Sequence, residues 1–314
     1  MGVGYFFLLS GFIFFWLYNA PIKKKEISAW EFSVQRFSRL YPLHFLTLLI
    51  VALLQLLYSS QESTSFVYPF NDSYHFFLNL IFASNWGFEI GWSFNAPIWS
   101  VSIEVLMYIF FFLLALFCLG GWQFCLSISV LALVLSHTVH NPILYGLSLF
   151  FLGGFVFHVT YLISTKYQLL KVPIYTATII FWSCLIINYY IIDLNTAVFA
   201  FGVIGKIILF SFSEYIVFPF TVCSLALIEI DRGPFLRPIS WIGNITYSSY
   251  LLHFPLQLLF GLAVSFGVLN FNFYRNPINL VIYFTILIAL SYFVYLKFER
   301  PMQKIIRTKL LFSK

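Results

Sequence analysis

Arg36 and Arg39 lie three residues apart at the start of a long apolar run. Side chains at that spacing share one face of a helix. Guanidinium groups bind phosphate through paired, charge-assisted hydrogen bonds. The pair is therefore a candidate site for the phosphates of a donor molecule at a membrane boundary. The alternative is that both arginines are ordinary positive charges flanking a membrane helix.

Glu104 ends the motif Trp99-Ser100-Val101-Ser102-Ile103-Glu104 and lies inside an apolar segment. An ionised carboxylate in hydrocarbon costs several kcal/mol, so we expect Glu104 to face a protein interior or a water-filled cavity. There it could have a catalytic role, with Trp99, Ser100 and Ser102 in support. The alternative is a structural hydrogen bond, for example to Ser100 or Tyr108.

A third polar group occurs at residues 244–255, where Tyr247, Ser248 and His253 gather in one apolar helix. This cluster, with His253, is a candidate for catalysis. Pro255 lacks an N–H and frees a carbonyl that these side chains could satisfy. A polar packing seam is the alternative.

Two further polar positions accompany these groups. Glu299 and Arg300 follow the last apolar run and could add an acid–base pair near the arginine motif. His44, in the helix that begins at the arginine motif, is equally compatible with packing and with function.

The elements that carry these residues must lie in a membrane. Hydrophobic residues make up 61% of the chain and charged residues 9%, against roughly 45–50% and 25% in soluble domains. Apolar runs of about 20 residues favour helices over a lipid-facing barrel, whose strands would alternate in segments of about ten. We predict an all-α, polytopic transmembrane helix bundle of about nine crossings. The predicted crossings are 3–18, 40–58, 98–118, 122–139, 143–163, 172–192, 198–228, 244–265 and 277–297.

The distribution of basic residues predicts the orientation of the bundle. All but Lys206 and Arg275 of the 17 lysines and arginines fall in regions that alternation places on one side. The positive-inside rule makes that side cytoplasmic, in an inner (plasma) membrane. Basic segments beside an anionic leaflet explain the net charge of +6 without a nucleic-acid partner. The predicted inner regions are 19–39, 164–171, 229–243 and the tail after 297.

The segment 59–97 is the one long polar excursion and is predicted to lie outside. Within it, residues 74–88 are amphipathic and too short to span, which suggests a lid or re-entrant segment over a cavity. No second globular domain fits elsewhere, so we predict one membrane-embedded domain over 1–314. The four cysteines lack metal-ligand spacing, and we expect neither a metal site nor a resident cofactor.

Five motifs in order resemble the acyltransferase 3 family of integral membrane O-acyltransferases. They are the segment 2–12, Arg36-x-x-Arg39-x-Tyr-Pro, Trp99-Ser-x-Ser-x-Glu104, the segment 246–255 and Phe-Glu-Arg-Pro at 298–301. Each motif is weakly specific alone, but their common order and spacing span nearly the whole chain.

The resemblance implies transfer of an acyl group, usually acetyl from acetyl-CoA, to a hydroxyl of a surface or exported polysaccharide or related glycan. Arg36 and Arg39 would then hold the phosphates of acyl-CoA on the cytoplasmic side. A histidine would activate the acceptor hydroxyl, and Glu104 would orient that histidine or balance its charge. His253 is the second-best base, and the resemblance supports it more as a structural or substrate-facing residue.

The chain departs from the family pattern at its start. Members carry, before the segment matching 2–12, a first helix with a basic residue and a histidine held to be catalytic. The predicted topology also places the first residue outside without a preceding crossing, so we expect one helix to be missing. Two other classes are therefore kept as alternatives. One is an inactive membrane remnant with a binding role, and the other is a transporter of polysaccharide or lipid-linked sugar.

Overall fold

The computed structural model describes residues 2–139, 141–187, 211–270 and 276–311. Within these ranges the chain is helical and contains no strand. The helices are α1 (Gly2–Lys23), α2 (Ala29–Glu62), α3 (Ser73–Leu80), α4 (Trp99–Leu116), α5 (Trp122–Val139), α6 (Pro142–Thr165), α7 (Lys171–Ile187), α8 (Phe218–Arg232), α9 (Ser240–Ser265), α10 (Pro277–Val294) and α11 (Arg300–Leu311).

Eight helical segments of the described chain are long and apolar enough to cross a membrane, and Trp122–Ser136 is a shorter apolar helix. The predicted all-α polytopic bundle is thus confirmed. Two predicted crossings are described in part, because residues 188–210 lie outside the described ranges. From Phe212 the seventh crossing continues as a π-helical turn, Ser213–Val217, followed by α8.

The chain folds into two compact units. The first comprises Met1–Ile27 and Leu106–Phe235, and the second comprises Ser28–Val105 and Leu236–Lys314. All the candidate site residues named above belong to the second unit. The single membrane domain remains a prediction.

The first unit is held by close packing of α1 against α6. A Cβ placed on Gly11 would lie 1.9 Å from the carbonyl oxygen of Phe150, and one on Gly153 would lie 2.1 Å from that of Leu8. The two backbones therefore touch where glycine leaves room, as small residues allow in membrane helix pairs. Phe14 and Phe15 pack their rings around this contact.

In the second unit α2 and α9 run in the same direction. The Tyr247 hydroxyl donates to the carbonyl of Leu40, near the start of α2. Farther along both helices, one buried cluster holds Leu48 and Leu54 of α2 together with Phe254 and Leu258 of α9. The start of α2 is capped by Ser28, which forms a capping box with Glu31.

The basic tail is helical and packs along the start of α2. The π-helical turn Tyr295–Glu299 joins α10 to α11. The Arg307 guanidinium donates to the Ser38 hydroxyl, and the Trp30 indole donates to the carbonyl of Leu310. The tail therefore belongs to the second unit's packed structure.

The segment 59–97 contains a shorter helix than the amphipathic pattern of 74–88 suggests, because α3 ends at Leu80. Phe82 and Gly87 have φ values of 62° and 90°, and such backbone conformations end an α-helix. The segment is nevertheless tied to α2. The side-chain amide of Gln55 donates to the carbonyl of Phe66 and accepts from its N–H, at 3.0 and 3.1 Å.

Candidate functional site

The arginine motif occupies the early turns of α2, after the Ser28 cap. The Arg39 side chain is exposed and Arg36 is half-buried. The charge of Arg39 acts on the Glu299 carboxylate and on the Tyr247 hydroxyl. Arg39 therefore lies beside buried polar groups while remaining open to a ligand.

Glu299 is bound to α9 through Ser248. The Ser248 hydroxyl donates to Glu299 Oε2 at 2.5 Å, and both side chains are buried. A charge-assisted bond of this kind gives a buried carboxylate part of the solvation that hydrocarbon lacks. The bond joins the tail motif to the third polar group of the sequence. Arg300, the next residue, is exposed.

Glu104 is buried, with 3% of its surface exposed, inside the second unit. It acts electrostatically on Tyr247 and Tyr250 of α9. Ser100, one turn earlier in α4, shares a 2.7 Å hydrogen bond with the Tyr250 hydroxyl. The expectation that Glu104 faces a protein interior is met, and the α4 motif lies against α9.

The other two residues of the α4 motif contact the loop before it. Ser102 donates to the carbonyl of Phe82 and accepts from the N–H of Asn85. The Trp99 ring meets Trp92 edge to face, with centroids 6.4 Å apart. Their contacts hold the segment 59–97 against α4.

His253 is half-buried and has a fixed tautomer. Its Nδ1 lies 2.5 Å from the carbonyl oxygen of Tyr250. Because a carbonyl only accepts hydrogen bonds, Nδ1 carries the hydrogen and Nε2 keeps a lone pair. A neutral imidazole of this form is able to accept a proton. The carbonyl of His253 is itself bonded by the hydroxyl of Tyr283.

Asn95 is a site residue that the sequence patterns do not single out. Its side-chain Nδ2 donates to the carbonyl of Leu251 at 3.1 Å, and the side chain is buried. This is the carbonyl that Pro255 leaves without an N–H partner four residues later. Pro255 was the signal in the sequence that a carbonyl would lack its helical N–H partner. From the sequence alone, we expect the hydroxyls and the imidazole of α9 itself to bond to that carbonyl. The partner comes instead from the loop before α4.

His44 bonds the segment 59–97. Its Nε2 lies 2.7 Å from the carbonyl oxygen of Asn79, and its ring stacks on Phe82 with centroids 4.3 Å apart. These contacts match the packing alternative for His44.

Across the described residues, no group of three or more His, Cys, Asp or Glu side chains could hold a metal ion.

The second unit thus holds a polar layer, which consists of Arg39, Ser100, Glu104, Tyr247, Ser248, Tyr250 and Glu299. Residues 1–296 match the family described as Acyltransferase domain, acyltransferase 3. The chain belongs to this family. It is a multi-pass membrane protein of an acyltransferase family, as the five motifs indicated. Comparisons with curated proteins and with solved structures found no significant match.

Proposed function

We propose that this acyltransferase moves an acyl group, most simply acetyl, from acyl-CoA to a hydroxyl of a cell-surface or exported polysaccharide. The observation that carries the proposal is the polar layer of the second unit. It joins the arginine motif, through Arg39, to Glu299, Tyr247 and Glu104. Buried carboxylates such as Glu104 and Glu299 are rare in membrane helices and usually mark functional sites.

The donor end of the proposed site is the start of α2. CoA carries several phosphate charges, and paired guanidinium groups suit such oxygens better than isolated ammonium groups do. Arg39 is exposed enough to meet a ligand. Arg36 lies one turn before it on the same helix face.

The transfer itself needs a base and a balanced exchange of bonds. A base takes the proton of the acceptor hydroxyl, whose oxygen attacks the thioester carbonyl and forms the new ester bond. The C–S bond breaks, and the CoA thiolate leaves and is protonated. His253, with its Nε2 lone pair, is the candidate base in this chain. Because the Tyr250 carbonyl already orients the His253 ring, the role left to Glu104 is to balance the charge that the base gains.

A donor comparison tests the proposal. We expect acetyl-CoA to bind the purified 314-residue chain saturably in lipid nanodiscs when measured by titration calorimetry. S-acetylpantetheine, which keeps the thioester and lacks the phosphates, should bind much more weakly. Equal binding of both compounds would show that Arg36 and Arg39 do not hold the phosphates of the donor. Absence of binding by both would remove acyl-CoA as the donor.

The charge distribution predicts that the start of α2 is cytoplasmic and that the segment 59–97 is outside. Single cysteines at Ser33 and Thr64, both exposed, mark the two ends of α2. They are introduced after replacing the native cysteines, because Cys118 and Cys184 are exposed thiols. A membrane-impermeant maleimide added to intact cells should label Thr64→Cys and spare Ser33→Cys. Labelling of Ser33→Cys alone would show that the orientation is the reverse of the proposed one.

A further inference from the structure

A cleft of about 500 Å³ opens between the end of α2 and the segment 59–97. Gln55 and Ser59 of α2 form one wall. The opposite wall is formed by Ser65, Asp72, Phe76 and Phe94, together with their neighbours. This volume lies within the range of roughly 300–1,000 Å³ that is usual for small-ligand sites.

The walls of the cleft are held in place before any ligand binds. Gln55 fixes the backbone of Phe66 through both of its amide groups. Asn71 accepts from the N–H of Phe94 at 2.7 Å and donates to the carbonyl of Tyr68 at 2.6 Å. A ligand would therefore meet a preformed surface, which lowers the entropic cost of binding.

Asp72 gives the cleft its only charge among the described lining residues. It caps α3, and its carboxylate accepts from the backbone N–H and from Nδ1 of His75. These hydrogen bonds, the backbone one foremost, hold the pKa of Asp72 below its usual value. The carboxylate is thus ionised at neutral pH. Its side chain is 55% exposed, which leaves lone pairs free to accept further hydrogen bonds.

The chemistry of the walls narrows the class of ligand. Among the described residues, a carboxylate but no lysine or arginine lines the cleft, so phosphate groups of a nucleotide or a lipid would be repelled. A purely apolar chain would cover the exposed part of the Asp72 carboxylate without offering it a hydrogen-bond donor. A sugar satisfies both kinds of surface, because its hydroxyls donate to the carboxylate while its C–H face packs on the half-buried ring of Phe76.

The position of the cleft suits an acceptor. Arg39 and Gln55 lie 16 residues apart on α2, roughly 24 Å along the helix axis. The polar layer includes Tyr247 and Tyr250 of α9, which lie between the level of Leu40 and that of the Phe254 cluster. A donor at one end of α2 and an acceptor at the other would approach this layer from opposite sides.

We propose that this cleft is a glycan-binding site that receives the polysaccharide acceptor at Asp72 and Phe76. The proposal rests on the proposed function and adds to it the place and the recognition chemistry of the acceptor.

An array of cell-surface and exported oligosaccharides, probed with the 314-residue chain in nanodiscs, tests this site. We expect at least one oligosaccharide to be retained. For that oligosaccharide, Asp72→Asn should weaken binding by about tenfold or more, because a charged acceptor is lost. Asparagine also caps helices, so α3 should keep its start. Ser59→Trp, which fills the cleft, should abolish retention.

Glu62→Gln is the matched control, since Glu62 is an exposed carboxylate of the same segment that does not line the cleft. It should bind the oligosaccharide like the parent chain. Retention of no oligosaccharide, or equal retention by the parent, Asp72→Asn and Ser59→Trp chains, would overturn the assignment. Acetyl-CoA titration of the same variants separates the two proposals. If the parent chain does not bind acetyl-CoA, the proposed function fails. If the parent chain retains no oligosaccharide, the assignment of the cleft fails.

Discussion

Arg39→Ala is expected to weaken acetyl-CoA binding by about 10- to 150-fold. The change removes charge-assisted hydrogen bonds worth roughly 1.5–3 kcal/mol. Arg36→Ala should have an effect of the same order if both arginines hold phosphate. Lysine at either position should restore affinity only in part, because it keeps the charge and loses the planar fork. Calorimetric titration in nanodiscs measures each affinity.

Lys304→Ala provides the control for a general charge effect. Lys304 is an exposed cation of α11 in the same unit. Its removal should shift affinity weakly and mainly at low salt, since exposed charges are screened within about 10 Å at 0.1 M. If Arg36→Ala and Arg39→Ala both bind donor like the parent while inserting normally, the pair is a topological anchor and the donor site lies elsewhere.

Gly153→Ala is expected to lower the stability of the first unit substantially. Its Cβ would meet the backbone carbonyl of Leu8 at 2.1 Å, so α1 and α6 must separate. Overpacking of this kind typically costs about 1–3 kcal/mol or more. That loss exceeds the gain of up to about 1 kcal/mol that alanine brings to a helix interior. Thermal unfolding in detergent, followed by tryptophan fluorescence, should show a lower midpoint.

Gly2 lies on α1, the helix that packs against Gly153 of α6, and Gly2→Ala serves as the control. A Cβ on Gly2 would have no atom within 4 Å, so the substitution should leave the midpoint unchanged or raise it slightly. An unchanged midpoint for Gly153→Ala would show that the contact between α1 and α6 relaxes without cost. The packing argument would then fail.

The helices were predictable because each apolar run is long enough to span and has few competing signals. The start of α2 also carried a local signal, the capping pair Ser28 and Glu31. The amphipathic pattern of 74–88 was less informative, because periodicity does not reveal that Phe82 adopts a positive φ. Such a conformation is imposed by tertiary contacts.

The site was predictable only where residue type was unusual for a membrane. Glu104 stands out as a carboxylate among apolar residues, and Glu299 stands out as a carboxylate directly after an apolar run, whereas Asn95 and Gln55 do not stand out. The latter two bond to backbone groups, which leave no mark in the sequence. The same limit applies to the first unit, where the hydroxyl of Tyr145 donates to buried Glu214, 69 residues later, at 2.7 Å. Glu214 stands out as a charge within an apolar run, but nothing in the sequence identifies its partner.

The bond between Asn95 and the Leu251 carbonyl restricts how α9 is able to move. Pro255 leaves that carbonyl without a helical partner, so Asn95 fits α9 at one axial height. Sliding α9 by one turn, about 5.4 Å, would leave a buried amide and a buried carbonyl unpaired. Each would cost on the order of 1–3 kcal/mol. The hydrogen bond therefore resists translation of α9 along its own axis. We expect conformational changes of α9 to proceed by tilting of the helix about the level of Leu251.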